Sequence, residues 1–140
     1  MQTFLPYPNY ADSARCLDRQ RLGKQRVEVL QLLRCLTGLT TGWRNHPAAR
    51  MWRGHEGHLL AYGLAACLEW RRRGYRDSCA EKMVAVRGGL PISLFPLPPW
   101  LGNPAFHASH RAALLAKNPA WYGRFGWAEK PGIAYVWPVR

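Results

Sequence analysis

The chain has 140 residues, of which 20 are Lys or Arg and 8 Asp or Glu, for a formal charge of +12; its length suits one domain, residues 1–140, with a core that needs no disulfides. The positive residues recur along the whole sequence, so a basic surface is expected, with nucleic acid, an anionic membrane or an acidic protein as its polyanionic partner. A membrane is the least favoured: no run approaches the roughly 18 apolar residues of a spanning helix, and Met1 to Tyr10 lacks the charged start and apolar core of a secretory signal, which makes the cytoplasm the expected location.

The first nine residues, MQTFLPYPN, contain Pro6 and Pro8. Their fixed φ and missing N–H exclude a regular helix and predict an extended arm. Asn9 or Asp12 then caps a helix running to about Leu36, with Gly23 as the place where it would break. A 3.6-residue period from Arg21 to Leu36 puts Val29, Leu32, Leu33 and Leu36 on a buried stripe. Arg21, Lys24, Glu28, Gln31 and Cys35 run along another face.

Glu28 thus stands as a single carboxylate among Arg19, Arg21, Lys24 and Arg26. Two readings of that face stand side by side. In the first, Lys24 and Glu28 form an i, i+4 surface pair contributing about 0.2 to 0.5 kcal/mol. In the second, the cations keep Glu28 ionised as a general base acting on a phosphate-rich substrate.

After a loop punctuated by Gly38, Gly42 and Pro47, a second helical region is predicted from Ala48 to Arg73. Its core positions are Met51, Trp52, Leu59, Leu60, Leu64, Cys67 and Leu68. Gly54, Gly57 and Gly63 mark a break or a close helix crossing. The run Arg71, Arg72, Arg73 before Gly74 suits a helix end, where cations meet the negative pole of the dipole. Asp77 or Ser78 caps a third helix to about Val86.

Residues Gly88 to Pro104 are rich in proline and glycine, yet too apolar for a disordered linker, so an ordered loop packed across the helices is expected. A fourth helix, Phe106 to Lys117, turns Ala112, Leu114 and Leu115 inward and leaves His107, His110, Arg111 and Lys117 outside, with Pro119 ending it. The tail is aromatic and basic. The fold class that results is all-α, about four helices in a compact domain with long ordered loops and an aromatic, basic C-terminal tail.

Several chemistries find no support. The sequence has no GxxxxGK[ST] or GxGxxG pattern for nucleotide phosphates. Cys16, Cys35, Cys67 and Cys79 form no CxxC pair and read as buried thiols. His55 and His58 lack a third ligand at a familiar spacing, so neither a metal nor another cofactor is expected. The block NPAWYGRFGW has two explanations, a tail packed on the core or a surface where aromatics and cations stack on bases. Of the 7 tryptophans, most are expected in the core.

These residues carry a family resemblance. LDRQ at Leu17 to Gln20, then Glu28, GWRNHP at Gly42 to Pro47, CLEWRRRGY at Cys67 to Tyr75 and HASHRAALLAKNPAWYGRFG at His107 to Gly126 resemble the pyrimidine-dimer DNA glycosylases of the phage endonuclease V type and bacterial members of that family. The resemblance implies a mostly helical repair protein, expected as a monomer, that acts at the C1′ carbon of a damaged nucleotide in double-stranded DNA. It places Glu28 at the family's essential glutamate, gives Arg21 and Arg26 as phosphate-holding candidates, and aligns Trp121 and Tyr122 with the Trp-Tyr of the family's tail. Arg111 lies one residue from a family helix cation. Arg19, Lys24, Arg44, His46, Lys117 and Arg124 complete the expected DNA-binding set.

The start of the chain departs from the pattern. The family forms an imine through an α-amine exposed on a small residue by removal of Met, and an α-amine with a pKa of about 8 is a nucleophile at neutral pH. Here Gln2 should block that removal. The catalytic set Met1, Gln2 and Glu28 therefore leaves three routes open: Met1 supplies the amine, the arm is trimmed toward Thr3, or imine chemistry and abasic-site lyase activity are absent. A non-catalytic nucleic-acid-binding protein of the same fold is the alternative function, and a basic module for an acidic protein a third.

Overall fold

A computed structural model of the chain describes residues 1–87 and 93–138. Helix α1, Tyr10–Cys16, starts where Asn9 accepts the N–H of Asp12 with its side chain at 2.9 Å, and α2 follows at Arg19–Leu36. Then come α3, Pro47–Trp52, α4, Glu56–Arg72, and α5, Cys79–Arg87. The chain closes with α6, Pro104–Lys117, the single turn α7, Pro119–Tyr122, and a 3₁₀ turn at Gly123–Phe125. Among the described residues there is no strand, and no helix is long and apolar enough to cross a membrane.

The fold is all-helical, as expected, but the helices are more numerous than the four read from the sequence. The first predicted helix is divided at Leu17 and Asp18, both extended, and not at Gly23. Asp18 does not cap α2 with its carboxylate because that group is engaged elsewhere, by Tyr122, Arg21 and Asn118. Gly23 stays helical because Trp70 packs against it: a Cβ there would lie 3.1 Å from the indole. The second predicted helix divides at Gly54, whose φ of +84° suits a residue without Cβ.

Helices α2 and α4 run antiparallel, Gly23 meeting Trp70 and Val29 meeting Gly63. Gly63 is the close crossing foreseen, since a Cβ there would lie 2.5 Å from Val29 and 2.7 Å from the Met83 sulfur of α5. Val29, Leu32 and Leu33 are buried as predicted, and Leu36 packs partly on the same cluster. Asp77 caps α5 by accepting the N–H groups of Cys79 and Ala80 at 3.2 and 3.0 Å.

Some assignments are corrected. Leu68 is 69% exposed, because it falls on the side of α4 that no element covers. Cys35 is buried, on the inner edge of α2 and off the cationic face. Of the tryptophans only Trp52 and Trp100 are fully buried; the other five keep an open face. His107 and His110 point inward, for a reason given below. In the proline-rich loop, residues 88–92 lie outside the described residues; of the remainder, Trp100 is buried and donates to the Met51 carbonyl at 3.1 Å, while Phe95 is 80% exposed. All four thiols are buried and free, and burial pushes Cys16 and Cys67 up to about 12, as inert core thiols require.

Candidate active site

An extended, buried segment has no ladder or helix to take its peptide groups, so side chains must supply the partners. The N-terminal arm shows how. Gln25 of α2 accepts the Phe4 N–H and donates to the Gln2 carbonyl, both at 2.8 Å. Tyr62 of α4 donates to the Phe4 carbonyl at 2.7 Å. From α6, His110 Nδ1 accepts the Leu5 N–H at 2.9 Å, His107 Nδ1 donates to the Leu5 carbonyl at 2.7 Å, and Arg111 donates to the Pro6 carbonyl at 2.8 Å. Trp52 reaches the Thr3 hydroxyl at 3.0 Å.

This explains the two histidines that the sequence placed outside. Three of the four cationic or imidazole groups of α6 read as surface residues, His107, His110 and Arg111, instead clamp the arm. Burial drives the pKa of His110 down to about 3, helped by His107 beside it. His107 is also lowered, by burial first and by the charge of Arg111, against its hydrogen bond to Leu5. Each ring also has an acceptor nitrogen in use, His110 Nδ1 for the Leu5 N–H and His107 Nε2 for the Gly102 N–H at 2.9 Å, as a neutral imidazole allows.

The arm delivers its first residues to Glu28. Glu28 Oε2 accepts the backbone N–H of Gln2 in a long 3.4 Å contact and the Gln25 amide at 3.2 Å. The half-buried carboxylate also borders a groove of about 650 Å³, lined by Arg19, Lys24, Val27, Gln31, Trp70 and Tyr75 among others. Trp70 and Tyr75 lie against each other with centroids 4.3 Å apart and planes tilted by 30°, and form the aromatic wall of that groove. Neither was singled out from the sequence; the one available signal was an aromatic at each end of the basic run WRRRGY.

The cations around Glu28 divide into two sets. Arg19 and Lys24 open onto the groove and take no ion-pair partner among the described residues. Arg21 is paired with Asp18 at 2.8 Å. Arg26 is paired with the fully buried Asp77 and lies 4.4 Å over the Trp70 ring. Glu28 itself forms no ion pair with Lys24 or any other described cation, so the surface pair weighed above is not made.

On the arm's other flank, Met1 packs against the main core. His46 caps α3, its Nδ1 accepting the Ala48 N–H at 3.0 Å. Its pKa is lowered by burial and by the positive charge of the chain's first amine, which places that amine near the ring. Arg44 is exposed beside it, its carbonyl accepting from Arg53.

The remaining expected DNA contacts do not converge on Glu28. Tyr122 is fully buried and donates to the Asp18 carboxylate at 2.6 Å, and Trp121 donates to the Cys16 carbonyl at 2.7 Å. Both therefore sit at the N-terminal end of α2, about 15 Å along its axis from Glu28 by helical rise. Arg124 lies 4.0 Å over the Trp121 ring at the surface. Arg111 is held by Glu129 as well as by Pro6, and Lys117 is exposed at the end of α6.

Comparison with known proteins adds one finding. A sequence model of the family described as pyrimidine dimer DNA glycosylase matches residues 1–83, a span that holds the arm, Glu28 and every residue of the groove but not the aromatic tail. No curated protein and no solved structure matches the chain.

Proposed function

The chain belongs to the pyrimidine dimer DNA glycosylase family, and from that premise we propose that it releases a damaged base from DNA at the junction of Gln2, Glu28 and the groove. The observation that carries this reading is the position of Glu28: one oxygen rests on the arm's first peptide nitrogen while the same side chain borders a cationic, aromatic-walled groove. Arg19 and Lys24 neutralise phosphates of a strand lying in that groove. Trp70 and Tyr75 offer it a face for stacking.

In the proposed chemistry, the chain's α-amine attacks C1′ and the glycosidic bond breaks, its electron pair and a proton leaving with the base. Once the attached amine has lost its proton, the C1′–O4′ bond breaks, O4′ takes up a proton and a protonated imine forms at C1′; loss of a C2′ proton then expels the 3′ phosphate by elimination, which is the lyase step. Glu28 stabilises positive charge at C1′ and accepts the amine's proton. A second reading has water attack C1′ and forms no adduct. One observation favours it: the nitrogen that Glu28 touches is the peptide nitrogen of Gln2, which is not nucleophilic while Met1 is attached.

Borohydride trapping on dimer-containing and abasic duplexes separates the two, read beside the intact mass of the protein, which shows which residue carries the amine. A trapped adduct supports the imine route; base release with no adduct supports water. Glu28→Gln should lower base release by about a hundred- to ten-thousandfold, the usual range for a positioned acid or base, with the fold retained. Release undiminished by that substitution would remove Glu28 from the chemistry.

A further inference from the structure

The side chain of Gln2 has a task apart from its backbone contact with Glu28. It is buried and turns back on its own backbone, Oε1 accepting the Thr3 N–H at 2.8 Å. The opposite end of the carboxamide, Nε2, must then find its acceptor outside the arm, because a buried N–H left unpaired is costly and rare in folded proteins. What it meets is the Tyr135 hydroxyl, at less than ideal hydrogen-bond geometry and with no other partner among the described residues.

Tyr135 belongs to a C-terminal strap, residues 131–138, that runs beside α6. Ala134, Val136 and Pro138 are exposed while Tyr135 and Trp137 are half-buried, the period of two of an extended chain with one face turned inward. The backbone is pinned to α6, Val136 donating to the Ser109 hydroxyl at 3.1 Å and Gly132 to the Ala112 carbonyl at 3.5 Å. The Tyr135 ring is fixed edge-on to His110 with centroids 5.6 Å apart, and by Trp137 at 5.8 Å. Trp137 in turn stands edge-on to His46 at 6.1 Å, the ring that feels the charge of the first amine. The strap thus meets both ends of the reactive dipeptide, Tyr135 at Gln2 and Trp137 at the histidine near Met1. Burial raises the Tyr135 hydroxyl above its ordinary range, with Glu28 acting the same way and the Gln2 amide and Arg21 against, so the group facing Gln2 is a neutral phenol.

Little else holds the tip of the arm to the carboxylate. The Gln2 N–H meets Glu28 Oε2 in the long 3.4 Å contact, and the shorter bonds from Gln25 fall on the Gln2 carbonyl and on Phe4, further along. We propose that Tyr135 is a positioning residue of the reaction centre, its hydroxyl holding the Gln2 carboxamide so that the first peptide stays against Glu28. A reacting group displaced by about 1 Å loses about a hundredfold in rate, so a tether at this point bears on the chemical step more than on binding. Tyr135 lies outside residues 1–83, the span of the family match; this part of the centre comes from the chain's C-terminal segment. The inference rests on the glycosylase reading above and adds to it the residue that sets the arm's register on Glu28.

The test is single-turnover base release from a dimer-containing duplex, with maximal rate and half-saturating protein concentration read separately. Three variants are compared with the protein as it stands: Tyr135→Phe, which keeps the ring and loses the hydroxyl, Gln2→Met, which keeps the length and loses the carboxamide, and the two combined. Each single change should lower the maximal rate about ten- to a hundredfold and leave half-saturation within about twofold. The double variant should be no slower than the slower single one, because two residues acting as a pair do not add. Hydrogen exchange of the Thr3 N–H, whose acceptor the tether orients, should quicken in Tyr135→Phe. An undiminished maximal rate in Tyr135→Phe, losses that multiply in the double variant, a change confined to half-saturation, or unaltered Thr3 exchange overturns the proposal. If Glu28→Gln still lowers base release in that event, the glycosylase reading survives alone; no base release by the protein as it stands overturns both.

Discussion

Gln25 occupies the position on which the geometry of the candidate site depends most. Its four hydrogen-bonding contacts, to Phe4, Gln2, Tyr62 and Glu28, use the whole carboxamide. Replacing it with Ala leaves the Phe4 N–H and the Gln2 carbonyl buried without partners, at about 1 to 3 kcal/mol for each such group. Gln25→Ala should therefore lower unfolding free energy by about 2 to 6 kcal/mol in urea titration, and should reduce base release beyond what the folded fraction accounts for. A loss of stability with unchanged activity per folded molecule would show that Glu28 does not need the arm. Glu28 was legible in the sequence because a lone acid among bases is a contrast visible over ten residues of one helix. Gln25 was not, because a glutamine in a charged helix looks like any surface residue until the segment it binds, more than twenty positions earlier, is in place.

At the scale of elements, the arm is joined to α6 by two imidazoles, of which His110 holds it only when neutral, because its Nδ1 accepts the Leu5 N–H. The folded pKa of His110 is about 3 against an ordinary 6.5, so the unfolded chain binds the extra proton throughout that interval. The stability contributed is complete above about pH 6.5 and falls as pH drops toward 3, by about 1.4 kcal/mol per pH unit for one such group. His107 acts in the same direction. The buried carboxylates add to the loss at the acid end: Asp18 is held below its ordinary range because the hydroxyl of Tyr122, the amide of Asn118 and Arg21 outweigh its burial. Denaturation midpoints should slope downward from pH 6.5, and the Leu5 amide should lose its hydrogen-exchange protection before the amides of α2. A flat profile to pH 4 would mean that the arm is not clamped this way. The sequence shows the helices of this assembly through their periodicity and offers Gly54 as a break, but not the break at Asp18, which tertiary bonds create. The inward turn of His107 and His110 was equally hidden, since polar residues on a helix are read as solvent-facing unless a buried peptide is known to wait for them.

Taken as a whole, a formal charge of +12 overstates what a nucleic acid would meet at the centre. Arg21, Arg26 and Arg111 are already paired with Asp18, Asp77 and Glu129. The open cations lining the groove are fewer, Arg19 and Lys24. If about four phosphates are neutralised, affinity should fall about a hundredfold as monovalent salt rises from about 50 to about 200 mM. Arg19→Ala or Lys24→Ala should each reduce the log–log salt slope by about one, whereas Arg26→Ala should chiefly destabilise the protein by taking from the buried Asp77 carboxylate its closest cation and leaving it Arg71 at 3.5 Å. Equal slopes for all three variants would contradict the division. Net charge predicted the kind of partner correctly in outline, as family membership supports, but could not say which cations are free, because pairing is a property of the folded surface.

The clamp on the arm also fixes when this protein can acquire its chemistry. The arm is synthesised well before α6, and the imidazole that anchors Leu5 is 105 positions downstream. Contacts of such separation form late, after the intervening chain has been ordered. A half-made chain therefore carries Glu28 and the arm as strangers, and translation must run past α6 before the two are introduced.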